Sequence, residues 1–167
     1  VPGIREQLTE LIDFPATVYD FAGIEPPYWH FGKSLRSVLA DTNAIHRDAV
    51  FCEGGRLRQE AQASERESVN STDGRGLYSP RIYQQLREDE VFPHSKATMC
   101  RDDQFKYVRR AYETDEFYDL GADPGETTNL INEPSSARSI ERMKERMLAW
   151  YMETCDVVPL VPDRRNF

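Results

Sequence analysis

Cysteine is scarce in this sequence: Cys52, Cys100 and Cys155 are the only three among 167 residues, and they lie far apart. They form no CxxC pair, so a thioredoxin-type redox motif is excluded, and an odd number cannot all pair with one another. Buried or idle thiols are the plain expectation. Long apolar runs are missing as well. No stretch approaches the ~20 residues that span a bilayer, and no signal-type hydrophobic segment opens the chain. No membrane partner is expected. The compartment stays open between the cytoplasm and the periplasm or exterior of a bacterium. Positive charge is in deficit, with 21 Lys and Arg against 29 Asp and Glu and a formal net charge of −8. Nucleic-acid affinity comes mainly from clustered Lys and Arg, so that partner class is excluded too. Large apolar residues are also few: Ile, Leu, Val and Phe together make 36 of the 167. That is close to the ~20 % level below which highly charged chains tend to stay disordered. A partner surface that completes the core would remedy the shortage.

What is present reads as a single domain, or one domain with an added layer. Leu8 to Ile12 could be a short strand or a helical turn. Asp13 is placed to cap a helix in which Pro15 suits the first turn. Val18, Phe21 and Ala22 give that helix an apolar face, and Gly23 stops it. Pro26 and Pro27 force the chain out of helical geometry. A second short helix starts after Ser34 and carries Leu35, Val38 and Leu39. Asp48 to Cys52 reads as a strand. From Glu53 to Gly76 the composition turns polar and glycine-rich, as in binding loops or disordered segments. Asn70-Ser71-Thr72 is a glycosylation sequon, and Ser79-Pro80 begins a helical pattern with Ile82 and Leu86.

Lys96 to Arg101, Phe105 to Tyr112 and Glu116 to Leu120 are three strand candidates. Asp-rich turns at Asp102-Asp103 and Thr114-Asp115 separate them, and short turns favour antiparallel pairing. In Asp123-Pro124-Gly125, Pro124 presets φ and Gly125 is available for positive φ. The turn should place Glu126 at the N-terminus of a short helix, where the helix dipole favours a carboxylate. Asn129-Leu130 would close that helix. Ser136 to Thr154 is a strong amphipathic helix, with Ile140, Met143, Met147, Trp150 and Tyr151 at helical spacing. The expected fold is α+β: a small, about four-stranded antiparallel sheet packed against a long C-terminal helix, with short N-terminal helices and a long polar loop.

Four segments together resemble the C-terminal third of the type I sulfatases. The first is Leu11-Ile12-Asp13-Phe14-Pro15-Ala16-Thr17, continuing through Phe21-Ala22-Gly23-Ile24 to Gly32-Lys33-Ser34-Leu35. The second is Lys106-Tyr107-Val108. The third is Glu116-Phe117-Tyr118-Asp119-Leu120 with Asp123-Pro124-Gly125-Glu126-Thr127-Thr128-Asn129-Leu130, similar to the family's E-L-Y-D-L-x-x-D-P-x-E-x-x-N-L signature. The fourth is Trp150-Tyr151 with Asp156-Val157-Val158-Pro159. Each match has a scaffold reason, and none shows a reacting group.

The resemblance implies a sulfuric ester hydrolase of the alkaline-phosphatase-like superfamily. It would use a formylglycine, made from Cys or Ser in a C/S-x-P-x-R motif, and a calcium ion held by acidic side chains and an Asn. That nucleophile motif is not here. The residues two positions before the prolines are Asp13, Ile24, Glu25, Tyr78, Val91, Ala122, Asn132, Val157 and Leu160, with nothing before Pro2. Asp102-Asp103 sits in a tight turn, where a solvated role is expected rather than a calcium site. The expectation is therefore no catalytic residue, no metal ligand and no cofactor in this chain. Calcium and formylglycine would lie on a missing N-terminal catalytic domain, which becomes the main partner. Residues 1–47 would be the tail end of that domain or its connection, and residues 48–167 the C-terminal subdomain with its polar loop at 53–77.

Sulfate esters are anionic, so contacts to substrate must be basic or hydrogen-bonding. The resemblance implies that His94 and Lys96, at the start of the first sheet strand after the polar loop, touch a sulfated small molecule or glycan. Arg56 joins them because the adjacent Gly54-Gly55 lets backbone approach closely. His30 and His46 are expected in loop or packing roles. Two other readings stay open. One is a non-catalytic module that binds a sulfated glycan or a protein partner. The other is a stable fragment whose former domain interface pairs chains into a homo-oligomer.

Overall fold

Alternating apolar residues between Asp-rich turns produce a four-stranded antiparallel sheet in the computed structural model, which describes residues 3–26, 28–55, 57 and 95–156. Two helices precede the sheet, α1 (Asp13–Ala22) and α2 (Arg36–Ala40). The strands are β1 (Val50–Gly54), β2 (Ala97–Arg101), β3 (Phe105–Arg110) and β4 (Glu116–Asp119), hydrogen-bonded in sequence order. A 3₁₀ turn at Pro134–Ser136 then leads into α3 (Ala137–Thr154). The expected α+β fold with a long last helix is therefore found. The sequon at Asn70 and the helical pattern after Ser79 lie outside the described residues. No described helix is long and apolar enough to cross a membrane.

The chain divides into two compact units, one made of Val1–Cys52, Met99–Val108 and Asp115–Phe167, the other of Glu53–Thr98 and Arg109–Thr114. The first unit holds the core. Tyr107 and Phe117 face each other across the β3–β4 ladder and are almost fully buried. Cys100 joins them from β2 and Ala49 from just before β1, and Ile140, Met143 and Met147 cover them from α3. Phe105 stacks on Phe117 at 5.2 Å, and Phe51 stacks on Trp150 at 4.7 Å, so aromatic rings close both sides of the cluster. Burial pushes the Cys100 thiol up to about 12.

Polar groups fasten this layer. The Asp102 carboxylate accepts from the Gln104 and Phe105 amides at 2.9 and 2.6 Å, closing the β2–β3 turn. Its other oxygen accepts from Arg142 of α3 at 2.9 Å. Asp102 is thus a structural tie rather than the solvated turn residue that its position suggested. Tyr107 donates its phenol to Asp115 at 2.6 Å. Along the outer edge of β4, Asn129 accepts from the Phe117 amide and the Leu130 amide donates to the Phe117 carbonyl.

The segment after Pro124 corrects the expectation. No helix follows, and positive φ falls on Glu126, at 54°, rather than on Gly125. The cause is local competition for amides. Asp123 captures the Thr127 and Thr128 N–H groups at 2.7 and 2.9 Å, while Lys106 of β3 holds Glu126 at 2.5 Å. The chain bends back to the β4 edge instead of winding on.

Met143 sits at zero exposure in the middle of the core. Met143→Ala should therefore lower unfolding free energy by about 2–5 kcal/mol, as for other buried truncations. Urea unfolding followed by tryptophan fluorescence would measure it, whereas Leu148→Ala, at an exposed position of the same helix, should change it by about 0.5 kcal/mol or less.

Candidate functional site

The most heavily bonded side chain among the described residues is a carboxylate at the start of α1. Asp13 is fully buried and does not cap the helix; its N-cap position is Ile12, which has no capping side chain. Instead Asp13 Oδ2 accepts from Arg47 Nε at 2.9 Å, from the Glu10 amide at 2.9 Å and meets His46 Nε2 at 3.0 Å. Its Oδ1 accepts from the Lys33 amide at 2.8 Å and from Arg47 Nη2. Arg47 also pairs with Glu10 at 3.1 Å and donates to the Phe31 carbonyl. Glu10 in turn accepts the Phe51 amide of β1 at 2.7 Å.

Burial by itself would push the Asp13 carboxyl up. The Arg47, Glu10, Lys33 and His46 hydrogen bonds outweigh it and hold the group well below the usual carboxylate range. Every lone pair is engaged, so Asp13 has no capacity to act as nucleophile or base. It is a clamp that joins residue 10, residues 31–33, residues 46–47 and β1. The expected packing role of His46 is what the structure gives. His30 accepts the Gly32 amide at 3.0 Å and lies beside Tyr19 and Tyr28.

Above the clamp lies a groove of about 760 Å³ with Trp29, Lys33, Asp48, Phe51, Arg146 and Trp150 on its walls. Its size suits a small guest. Its charges oppose one another, since Lys33, Arg47 and Arg146 share the lining with Glu10, Asp48 and Glu153. Arg146 is already paired with Asp48 at 2.5 Å. A groove so balanced offers no net attraction to an anionic ester.

Of the three residues expected to touch substrate, the structure places one. His94 and Arg56 lie outside the described residues. Lys96 stands just before β2 in the second unit, its carbonyl accepting the Ala111 amide at 2.9 Å. Next to it, the buried Ser95 donates to Glu113 at 2.8 Å. The Lys96 ammonium is 3.8 Å from Glu53, with about 40 % of its side chain exposed. Pairs this exposed contribute about 0–1 kcal/mol. A ligand anion could therefore displace Glu53 at small cost while the anchored backbone keeps Lys96 in place.

Among the described residues, no group of three or more His, Cys, Asp or Glu side chains is arranged to hold a metal ion. Asp102 is committed to two amides and Arg142, so the acidic pair in the β2–β3 turn does not fit a calcium site.

Asp13→Asn keeps the side-chain shape and removes the buried one of the two negative charges that Arg47 is paired with. It should destabilise the fold by about 3–5 kcal/mol, the usual consequence of breaking a buried pair. Because the folded pKa is depressed, the Asp13 contribution is complete above the ordinary carboxylate pKa of ~4. It should fade as pH falls through the folded value. Thermal unfolding between pH 7 and pH 2 should show a steeper acid loss in the wild type than in Asp13→Asn.

No family model matches the chain. A curated relative, the multifunctional alkaline phosphatase superfamily protein PehA of Trinickia caryophylli, is 27 % identical over 156 residues. The match covers 92 % of this chain and 26 % of the relative. The phosphonate monoester hydrolase of Agrobacterium radiobacter superposes with a TM-score of 0.62 at 22 % identity, covering 94 % of this chain and 30 % of that one. BT1596, a 2-O glycosaminoglycan sulfatase, superposes with a TM-score of 0.56 at 20 % identity, over 93 % and 29 %. In sequence the chain is similar to an alkaline phosphatase superfamily protein, and in fold it groups with the sulfatases and phosphonate monoester hydrolases, spanning between a quarter and a third of their length.

Proposed function

We propose that this chain is the C-terminal subdomain of a sulfatase, a wall of the substrate pocket that performs no hydrolysis by itself. The carrying observation is the asymmetry of the match: nine-tenths of this chain corresponds to about a quarter of an alkaline phosphatase superfamily protein. The one carboxylate buried among the described residues, Asp13, is saturated by Arg47 and its neighbours, which suits a scaffold position. In this reading residues 1–47 connect to, or finish, the catalytic domain, and residues 48–167 form the subdomain proper. The formylglycine nucleophile and the calcium ion belong to the catalytic domain.

The subdomain would supply cations to the anionic ester. Lys96, with the neighbouring His94 and with Arg56 after the Gly-Gly pair, is the proposed contact set. Lys96 is suited to it because its backbone is fixed by the Ala111 bond and its ion-pair partner among the described residues is the half-exposed Glu53. The guest would be a sulfated small molecule or sulfated sugar, as with the glycosaminoglycan sulfatase that shares the fold.

Purified chain should show no turnover of 4-nitrophenyl sulfate or of a phenylphosphonate monoester, with or without added calcium. Chelator-insensitive hydrolysis by the chain alone would overturn the proposal. In the complete hydrolase, Lys96→Ala should raise KM about tenfold with little change in kcat, the size of one lost charge-assisted hydrogen bond. Tight binding of a sulfated oligosaccharide by the isolated chain would instead mark a free-standing glycan-binding module.

A further inference from the structure

Both tryptophans of the chain, Trp29 and Trp150, stand on the walls of the groove above the Asp13 clamp, and every lining residue belongs to the first unit. Trp150 stacks on Phe51 at 4.7 Å, while Trp29 is 58 % exposed. Arg146, also on the lining, has a buried Nε–H for which no acceptor is found among the described residues. A buried donor left unpaired is costly. The groove thus wants two things at once, an apolar cover for its rings and a carbonyl for its guanidinium.

The last helix carries the chain to the rim of this groove, since α3 ends at Thr154 and both Glu153 and Thr154 are lining residues. Residues 157–167, which follow, lie outside the described residues, and their sequence is V-V-P-L-V-P-D-R-R-N-F. Pro159 and Pro162 have the P-x-x-P spacing of segments that dock in aromatic-lined grooves as polyproline II helices. Three residues of such a helix span about 9 Å and leave their carbonyls without internal hydrogen bonds. The α3 part of the lining, from Arg146 to Thr154, is about 12 Å long, a comparable reach. We propose that the groove is the docking site of residues 157–167 of the same chain. Laid back along α3, the segment sets Pro159 and Pro162 against the Trp150, Phe51 and Trp29 rings and brings a carbonyl to Arg146. Arg164 and Arg165 then come to the end of the groove at Asp48, whose side chain is 78 % exposed. The mixed lining charges, which give an anionic ester no net attraction, suit a segment where Asp163 is followed by two arginines. The inference goes beyond the hydrolase reading and does not depend on it: an occupied groove ties the end of α3 to residues 29–33 and 48–51.

Because the only two tryptophans line the groove, acrylamide quenching of the full chain reads its occupancy. The double variant P159S/P162S should lose protection from acrylamide while keeping its far-ultraviolet circular dichroism. A synthetic peptide of residues 157–167 should restore that protection at roughly millimolar concentration, the level that tethering supplies within the chain. The same peptide with both prolines replaced by serine should not. In the otherwise unaltered chain, p-benzoylphenylalanine at Leu160 should cross-link to residues 29–33 or 48–51 of its own molecule, as read by mass spectrometry. Equal quenching with and without the prolines overturns the inference. So does capture confined to the last turn of α3, a cross-linked dimer of this chain, or no capture. Protection of P159S/P162S by a neutral or sulfated oligosaccharide, and not by the peptide, also overturns it and marks a glycan subsite instead.

Discussion

The buried contact between Asp13 and Arg47 governs the N-terminal half of the molecule. Two opposite charges withdrawn from water are tolerable only when nearly every remaining lone pair and proton is satisfied. Here that requirement recruits the Glu10 and Lys33 amides, His46, Glu10 and the Phe31 carbonyl. The segments bearing those groups have little regular structure of their own, so the pair does for them what a ladder does for a sheet. Through Glu10 the same network reaches the Phe51 amide and fixes the beginning of β1. Desolvation makes the arrangement costly to open, and its completeness makes it specific.

The sheet depends on a different economy. With order β1-β2-β3-β4, the first and last strands are the edges of the sheet among the described residues. Each has backbone groups occupied by something that is not a strand: Glu10 takes the Phe51 amide on β1, and Asn129 with Leu130 occupies Phe117 on β4. Engaged edges resist pairing with another chain. The core beneath is small and relies on aromatic and sulfur-bearing side chains, which fits a sequence short of aliphatic residues. Lys96 enters this frame immediately before β2, so its backbone inherits the order of the sheet while its side chain keeps freedom to exchange partners.

Much of the fold was readable in advance because it rests on local rules. The four strands, the stop at Gly23 with its φ of 67°, and the Ile140–Met143–Met147 face of the last helix follow from period, turn residues and capping. What escaped were the consequences of contacts distant in sequence. Asp13 has the chemistry of a cap, and only the arrival of Arg47, 34 residues later, turns it into a clamp. The helix expected after Pro124 is lost to Asp123 and to Lys106, one of which acts 20 residues away. The apolar side of α1 was legible as a stripe, yet a period reveals no more than that a face exists; which side meets the rest of the chain was decided by the polar residues. Of the proposed contact set, Lys96 lies among the described residues, and its pairing with Glu53 could not be foreseen across a separation of more than forty residues.

Cys100 carries one more consequence. Alkylating reagents attack the thiolate, and at neutral pH a buried group shifted up to about 12 supplies almost none of it. The sulfur lies under α3, between strand and helix, with no exposed surface. Its modification must wait for the helix to lift, so the speed at which this single atom is labelled is a clock for the opening of the layer above it.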